Sequence, residues 1–104
     1  MTSTTAQAIE RIWYAIAPNG SGEGPVVLRV GMPHQEPDGD WSVLVGLSTL
    51  DGPPRKIFGV DGWQAAALGM RFVASLACDL EERGWRFYWS KGGESASAED
   101  LLGG

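Results

Sequence analysis

One cysteine, Cys78, and one histidine, His34, are the whole supply in this 104-residue chain of two side chains central to metal binding and nucleophilic catalysis. A single thiol can form no intrachain disulfide and no Cys-rich metal site. On a helix it reads as a small apolar side chain. Basic residues are scarce too: eight Lys and Arg stand against thirteen Asp and Glu, and Arg55-Lys56 is the only adjacent basic pair. Phosphate binding depends on clustered Lys and Arg, so nucleic acid is not an expected partner. The net charge of -5 favours a basic protein partner over an acidic one. No apolar run approaches the ~20 residues of a membrane span. The start carries Glu10 and Arg11 where a signal peptide needs an apolar stretch. The expectation is a cytoplasmic protein without membrane contact.

What is present is the composition of an ordinary folded domain, with 43% hydrophobic and 20% charged residues, enough for one core and too short for two. A single domain over residues 1–104 is expected, its ordered core spanning about 7–89. The start, Met1 to Thr5, is small and polar, and "SKGGESASAEDLLGG" from Ser90 onward is rich in Gly, Ser, Ala and acid. Residues 90–104 are therefore expected as a flexible tail that adds little to the core.

Strand signals come first. "ERIWYAIA" from Glu10 to Ala17 is dense in β-branched and aromatic residues and stops at "PNGSGEGP". "VVLRVG" from Val26 to Gly31 alternates, and "WSVLVGLS" places Trp41, Val43, Val45 and Leu47 on one side. "RKIFG" makes a short fourth strand. Short connections favour an antiparallel meander. "WRFYW", Trp85 to Trp89, would add a fifth strand at an edge.

A helix is expected from about Gly62 to Arg83. Asp61 sits at the N-cap with Gln64 three residues on, a pairing that satisfies backbone N–H groups at a helix start. Gly84 follows the last turn as a C′ residue tolerant of positive φ. At 100° per residue, Ala66, Gly69, Val73, Leu76, Ala77 and Leu80 share the sheet-facing arc, with Gln64, Arg71, Ser75 and Glu82 opposite. The fold class is thus α+β: a four-stranded antiparallel meander, five-stranded if Trp85 to Trp89 joins it, packed on one long C-terminal helix.

"FGVDGWQAAALGM", with "VVLRVGMPHQEPDGDW" before it and "RFYW" after the helix, resembles a family of small bacterial proteins of unknown function that share a G-V-D-[SG]-x-Q-A helix start. The resemblance spans roughly Pro25 to Trp89. It implies a fold and no catalytic residue.

Candidate chemistry is thin. His34, Glu36, Asp38 and Asp40 offer four donor side chains within seven residues, yet they match neither an EF-hand loop nor a zinc set, and Pro37-Asp38-Gly39 is a turn signature. No serine or cysteine stands in a triad setting, and "NGSGEG" lacks a P-loop lysine. No catalytic residue, cofactor or metal is expected. The favoured reading is a non-enzymatic, homo-oligomeric or protein-binding module, with an immunity-type or antitoxin-type protein as its sharper form. The alternative is a small-ligand sensor with an apolar pocket between helix and sheet, lined by Trp63 and Trp41.

Since one helix covers one face of a sheet, the other needs an explanation. If Ile12, Tyr14 and Ile16 face the helix, the open face carries Trp13, Val27, Arg29 and Leu44, a mixed surface suited to a homodimer. Leu68 and Phe72 on the helix form a second candidate surface. The cap has its own test: Asp61→Ala should cost roughly 0.5–2 kcal/mol in denaturant melts and Asp61→Asn much less, because Asn also accepts the backbone bond.

Overall fold

The computed structural model describes residues 8–48, 50 and 52–102. Four strands form the expected meander: β1 (Ala8–Ile16), β2 (Glu23–Gly31), β4 (Trp41–Leu47) and β5 (Arg55–Gly59). Between β2 and β4 lies β3 (His34–Gln35), a two-residue strand that pairs with the first half of β4 along the edge whose second half pairs with β2. Helix α1 (Gly62–Glu82) follows, and the chain then returns as β6 (Arg86–Tyr88) and β7 (Ser95–Ala96).

The strand count exceeds the expected four or five, and the last strands fall elsewhere than at the meander's end. β6 pairs antiparallel with the outer side of β1, Ala15 opposite Phe87, and β7 pairs outside β6. Across the sheet the order is β5, β4, β2 with β3, β1, β6, β7. All pairings are antiparallel.

Residues 90–102, placed in the expected tail, carry β7 and a 3-10 turn of this fold, and residues 103–104 lie outside the described residues. Ala96 and Ala98 are buried, and a 3-10 turn at Ala98–Leu102 packs beside the helix. The Ala98 N–H donates to the Glu81 carboxylate at 3.2 Å, and Arg11 donates to the Asp100 carbonyl at 3.1 Å. Small residues that looked like linker composition are what this close packing requires. The polar start, and residue 7 at the expected core boundary, lie outside the described residues.

The helix begins and ends on side-chain and backbone bonds written in its flanks. The Asp61 carboxylate accepts from the Gln64 N–H at 2.8 Å, and the Gln64 side chain accepts from the Val60 N–H at 2.8 Å, one residue before the usual capping-box partner. At the other end Gly84 has φ +104 and donates to the Glu81 carbonyl, while Trp85 donates to the Leu80 carbonyl. These two bonds form a Schellman closure.

Ala65, Gly69, Val73, Ala74, Ala77 and Leu80 are the buried helix residues. Ala66 and Leu76, expected on that arc, sit half-buried at its margin. Gly69 is where the helix lies closest to the sheet: a Cβ there would stand 2.7 Å from Val43 Cγ2 and 3.0 Å from Val45 Cγ1. Small side chains on α1 and branched ones on the strands interlock at this point. The core otherwise consists of Trp13, Val26, Leu28, Val30, Val43, Val45, Leu47 and Phe87.

Strand β1 has the opposite phase from the one expected. Trp13 is 1% exposed and faces the helix, with its ring 5.3 Å from Phe87 and edge-on to Trp89 at 5.9 Å. Ile12, Tyr14 and Ile16 lie on the other face. Both phases of β1 contain large apolar residues, so alternation alone decides nothing. Its pairing with β2 decides: Trp13 stands opposite Val26 and Ile12 opposite Val27, and a one-residue change of register would turn every side chain over.

Two glycines test the packing. Gly69→Ala gains helix propensity of about 1 kcal/mol but overfills a contact with stiff valines, for an expected net loss of roughly 1 kcal/mol. Gly59→Ala should be worse, roughly 3 kcal/mol, because its Cβ would meet the Ala65 backbone N at 2.5 Å and backbone yields less than side chain. Denaturant melts of the two variants should rank them in that order.

Candidate functional site

The face that α1 leaves open is built by alternate residues of five strands. From β1 come Glu10, Ile12, Tyr14 and Ile16; from β2, Glu23, Val27, Arg29 and Gly31; from β4 and β5, Leu44, Gly46, Lys56 and Phe58; and from β6, Arg86 and Tyr88. Three of these side chains are large, apolar and more than half exposed: Ile12 at 61%, Leu44 at 53% and Phe58 at 53%. Val27, paired with Ile12, is half-buried. An antiparallel sheet with a solvated face normally carries polar residues there, so this face departs from the pattern.

Of the residues expected to form this surface, Val27, Arg29 and Leu44 are on it and Trp13 is not. Trp13 is withdrawn into the core by the register of β1, and Ile12 takes its place. The alternation of β1 groups Ile12 with Tyr14 and Ile16 but does not fix which side that set faces.

The polar groups of the face are paired with one another. Arg29 donates to Glu10 at 2.7 Å, and the Tyr14 hydroxyl donates to Glu23, which raises the Tyr14 pKa. Glu36 folds over the sheet from the β3–β4 turn, where its carboxylate accepts from the buried Ser42 hydroxyl at 2.5 Å and meets Lys56 at 3.2 Å. Among the described residues the face holds three carboxylates, Glu10, Glu23 and Glu36, and three cations, Arg29, Lys56 and Arg86. The acid excess of the chain lies off it, much of it along Asp79, Glu81, Glu82, Glu99 and Asp100.

The loop that offered metal donors uses them for its own geometry. Besides the bonds of Glu36, Asp38 accepts from the Asp40 N–H at 3.0 Å, and the Glu36 carbonyl accepts from Gly39 at 2.9 Å across a turn in which Gly39 has φ +99. His34 is exposed on β3. Among the described residues no group of three or more His, Cys, Asp or Glu side chains is placed to hold an ion.

Trp63 and Trp41 do not line a common pocket. Trp63 is 87% exposed at the start of α1, whereas Trp41 is half-buried with its ring 3.4 Å from the position of a Cβ on Gly62. A cavity of about 120 Å³ near the helix is lined by Ile9, Arg11, Leu28, Met70, Val73 and Leu101 among others, and by neither tryptophan. Leu68 is exposed at 36%, and Phe72 is half-buried beneath the Arg55 guanidinium. No helix among the described residues is long and apolar enough to cross a membrane.

Comparison with known proteins finds no family model, no curated protein and no solved structure that matches this chain.

The Glu36 contacts carry a pH dependence. Its carboxyl is held below the ordinary value of 4.5, first by the Ser42 hydrogen bond and then by Lys56. A depressed folded-state pKa stabilises the fold above the unfolded value and loses that contribution as pH falls through the folded one. Ser42→Ala should therefore melt below the wild type near neutrality, with the gap narrowing once pH drops below 4.5. Thermal melts from about pH 7 to about pH 3 check the sign.

Proposed function

We propose that this chain is a non-enzymatic, self-associating module whose working surface is the open sheet face. The observation that carries the reading is the exposure of Ile12, Leu44 and Phe58 on one face whose charges balance, with Arg29 paired to Glu10 and Lys56 to Glu36. Contiguous exposed apolar surface rimmed by polar residues marks interaction sites. A protein of net charge -5 repels its own copy through most of its surface, and this neutral face is where that repulsion is least.

The non-enzymatic part is supported by the settings of His34 and Cys78 among the described residues. His34 is exposed on β3 with Ser42 opposite it, and the Ser42 hydroxyl donates to the Glu36 carboxylate at 2.5 Å. The Cys78 thiol lies on an exposed helix face, and its pKa is raised by desolvation and by Glu82, Glu81 and Asp79, which disfavours the reactive thiolate. A sensor pocket lined by Trp63 and Trp41 finds less support, because Trp63 is 87% exposed and neither tryptophan lines the cavity near the helix.

Light scattering on the wild type and on Ile12→Glu with Leu44→Glu tests the reading. A dimeric wild type and a folded, monomeric double variant are expected. A wild type that stays monomeric at high concentration overturns self-association. A dimer that survives both charges overturns the assignment to this face and moves it to Met32, Val60 and Trp63, the exposed apolar residues beside the helix start.

A further inference from the structure

Between Val27 and Leu44 the open face is hollow. Gly31 and Gly46, on neighbouring strands, leave bare backbone where side chains would otherwise stand, and Ala8 adds only a methyl group. Together with Val27, Leu44 and Pro54 they bound a groove of about 430 Å³. Leu44, 53% exposed, rises on its margin. A ridge beside a hollow on one surface is self-complementary about a twofold axis, since each copy offers what the other lacks.

We propose that a second copy of this chain packs sheet face to sheet face about such an axis, with the partner's Leu44 seated in the hollow over Gly31 and Gly46 and the reciprocal contact made on the other side. This rests on the self-association reading above and adds its register.

Three observations favour a second copy over other occupants. The first is charge: the face carries three carboxylates and three cations, with Arg29 paired to Glu10 and Lys56 to Glu36, so two copies meet on a face of no net charge. The second is area. Five strands at ~4.8 Å spacing and about seven residues at ~3.3 Å give a face of roughly 24 by 23 Å, on the order of 550 Å² in projection and more with side-chain relief. That approaches the ~800 Å² per partner of a standard interface. The third concerns the hollow itself, which has few polar side chains to orient a small ligand: Arg29 is engaged by Glu10, and the Ser48 hydroxyl accepts from the Val27 N–H at 2.9 Å. Such a groove selects an apolar knob by shape.

Gly46 allows the hollow to be filled without strain. A Cβ there would meet only Pro54 Cα, at the ordinary contact distance of 3.7 Å, whereas one on Gly31 would press on the Leu44 carbonyl at 3.2 Å. Gly46→Phe should keep the wild-type circular dichroism and weaken dimerisation by roughly tenfold or more in sedimentation equilibrium, which is the worth of about 1.4 kcal/mol of lost contact. Leu68→Glu, off this face, should leave the dimer unchanged. A second measurement does not depend on Gly46→Phe folding: in a Cys78→Ser background, Leu44→Cys should be joined between copies by a short bis-maleimide, whose reach spans the ~10 Å between packed sheets, and Ser75→Cys on the outer helix face should not. A dimer that tolerates Gly46→Phe and fails to cross-link through position 44 overturns this register. If it is nevertheless dispersed by Ile12→Glu with Leu44→Glu, the open face remains the interface in a different register. A wild type that is monomeric throughout overturns both.

Discussion

The close seat of α1 on the sheet is the contact from which the rest of this structure follows. At Gly69 the helix backbone comes so near Val43, Val45 and Val30 that no side chain fits between, and at Gly59 the strand before the helix comes equally near its first turn. Those approaches lock one helix against one face of the sheet. A five-strand face is then covered on one side only, and the other side is left to whatever the strands happen to present. In most antiparallel sheets that is a polar surface. Here it is Ile12, Leu44 and Phe58, all more than half exposed.

The polar chemistry of the chain serves the same architecture. Asp61 and Gln64 start the helix that must seat there; Gly84 and Trp85 close it; Glu81 receives the Ala98 N–H and so draws the last turn onto the helix flank. Burial raises the Glu81 pKa, helped by Glu99 and Asp100 and partly offset by that hydrogen bond. Glu36 does comparable work at the other end of the sheet, holding the β3–β4 turn down onto Ser42 and Lys56. The carboxylates with the clearest roles thus act as acceptors for nearby backbone or side-chain groups, a different task from proton transfer to a substrate. Among the described residues the Trp13 indole N–H is buried without an acceptor.

Local signals were enough to read much of this from the amino-acid sequence. The strand at Arg55–Gly59, the long helix with its Asp61 start and Gly84 stop, and the sheet-facing phase of Val43, Val45 and Leu47 depend on hydrogen bonds and periodicities within a few residues of one another. So does the inward phase of Val26, Leu28 and Val30. The antiparallel α+β class follows from them. Val27, Arg29 and Leu44 are on the open face for the same reason: their strands have one strongly apolar side and one weaker side, and the stronger side must be buried.

Tertiary structure decided the rest, because those questions turned on pairings between distant residues. β1 has two apolar sides, and only its register against Val26 and Val27 sent Trp13 inward and Ile12 outward. Gly31 and Gly46 are fifteen positions apart in sequence; only the pairing of β2 with β4 brings them onto neighbouring strands as parts of one hollow. The last residues resemble linker in composition, yet small side chains are what allow Ala96 and Ala98 to close over Phe87 and α1. Composition reports what a segment can bury by itself, whereas here the burial depends on a surface that another part of the chain provides.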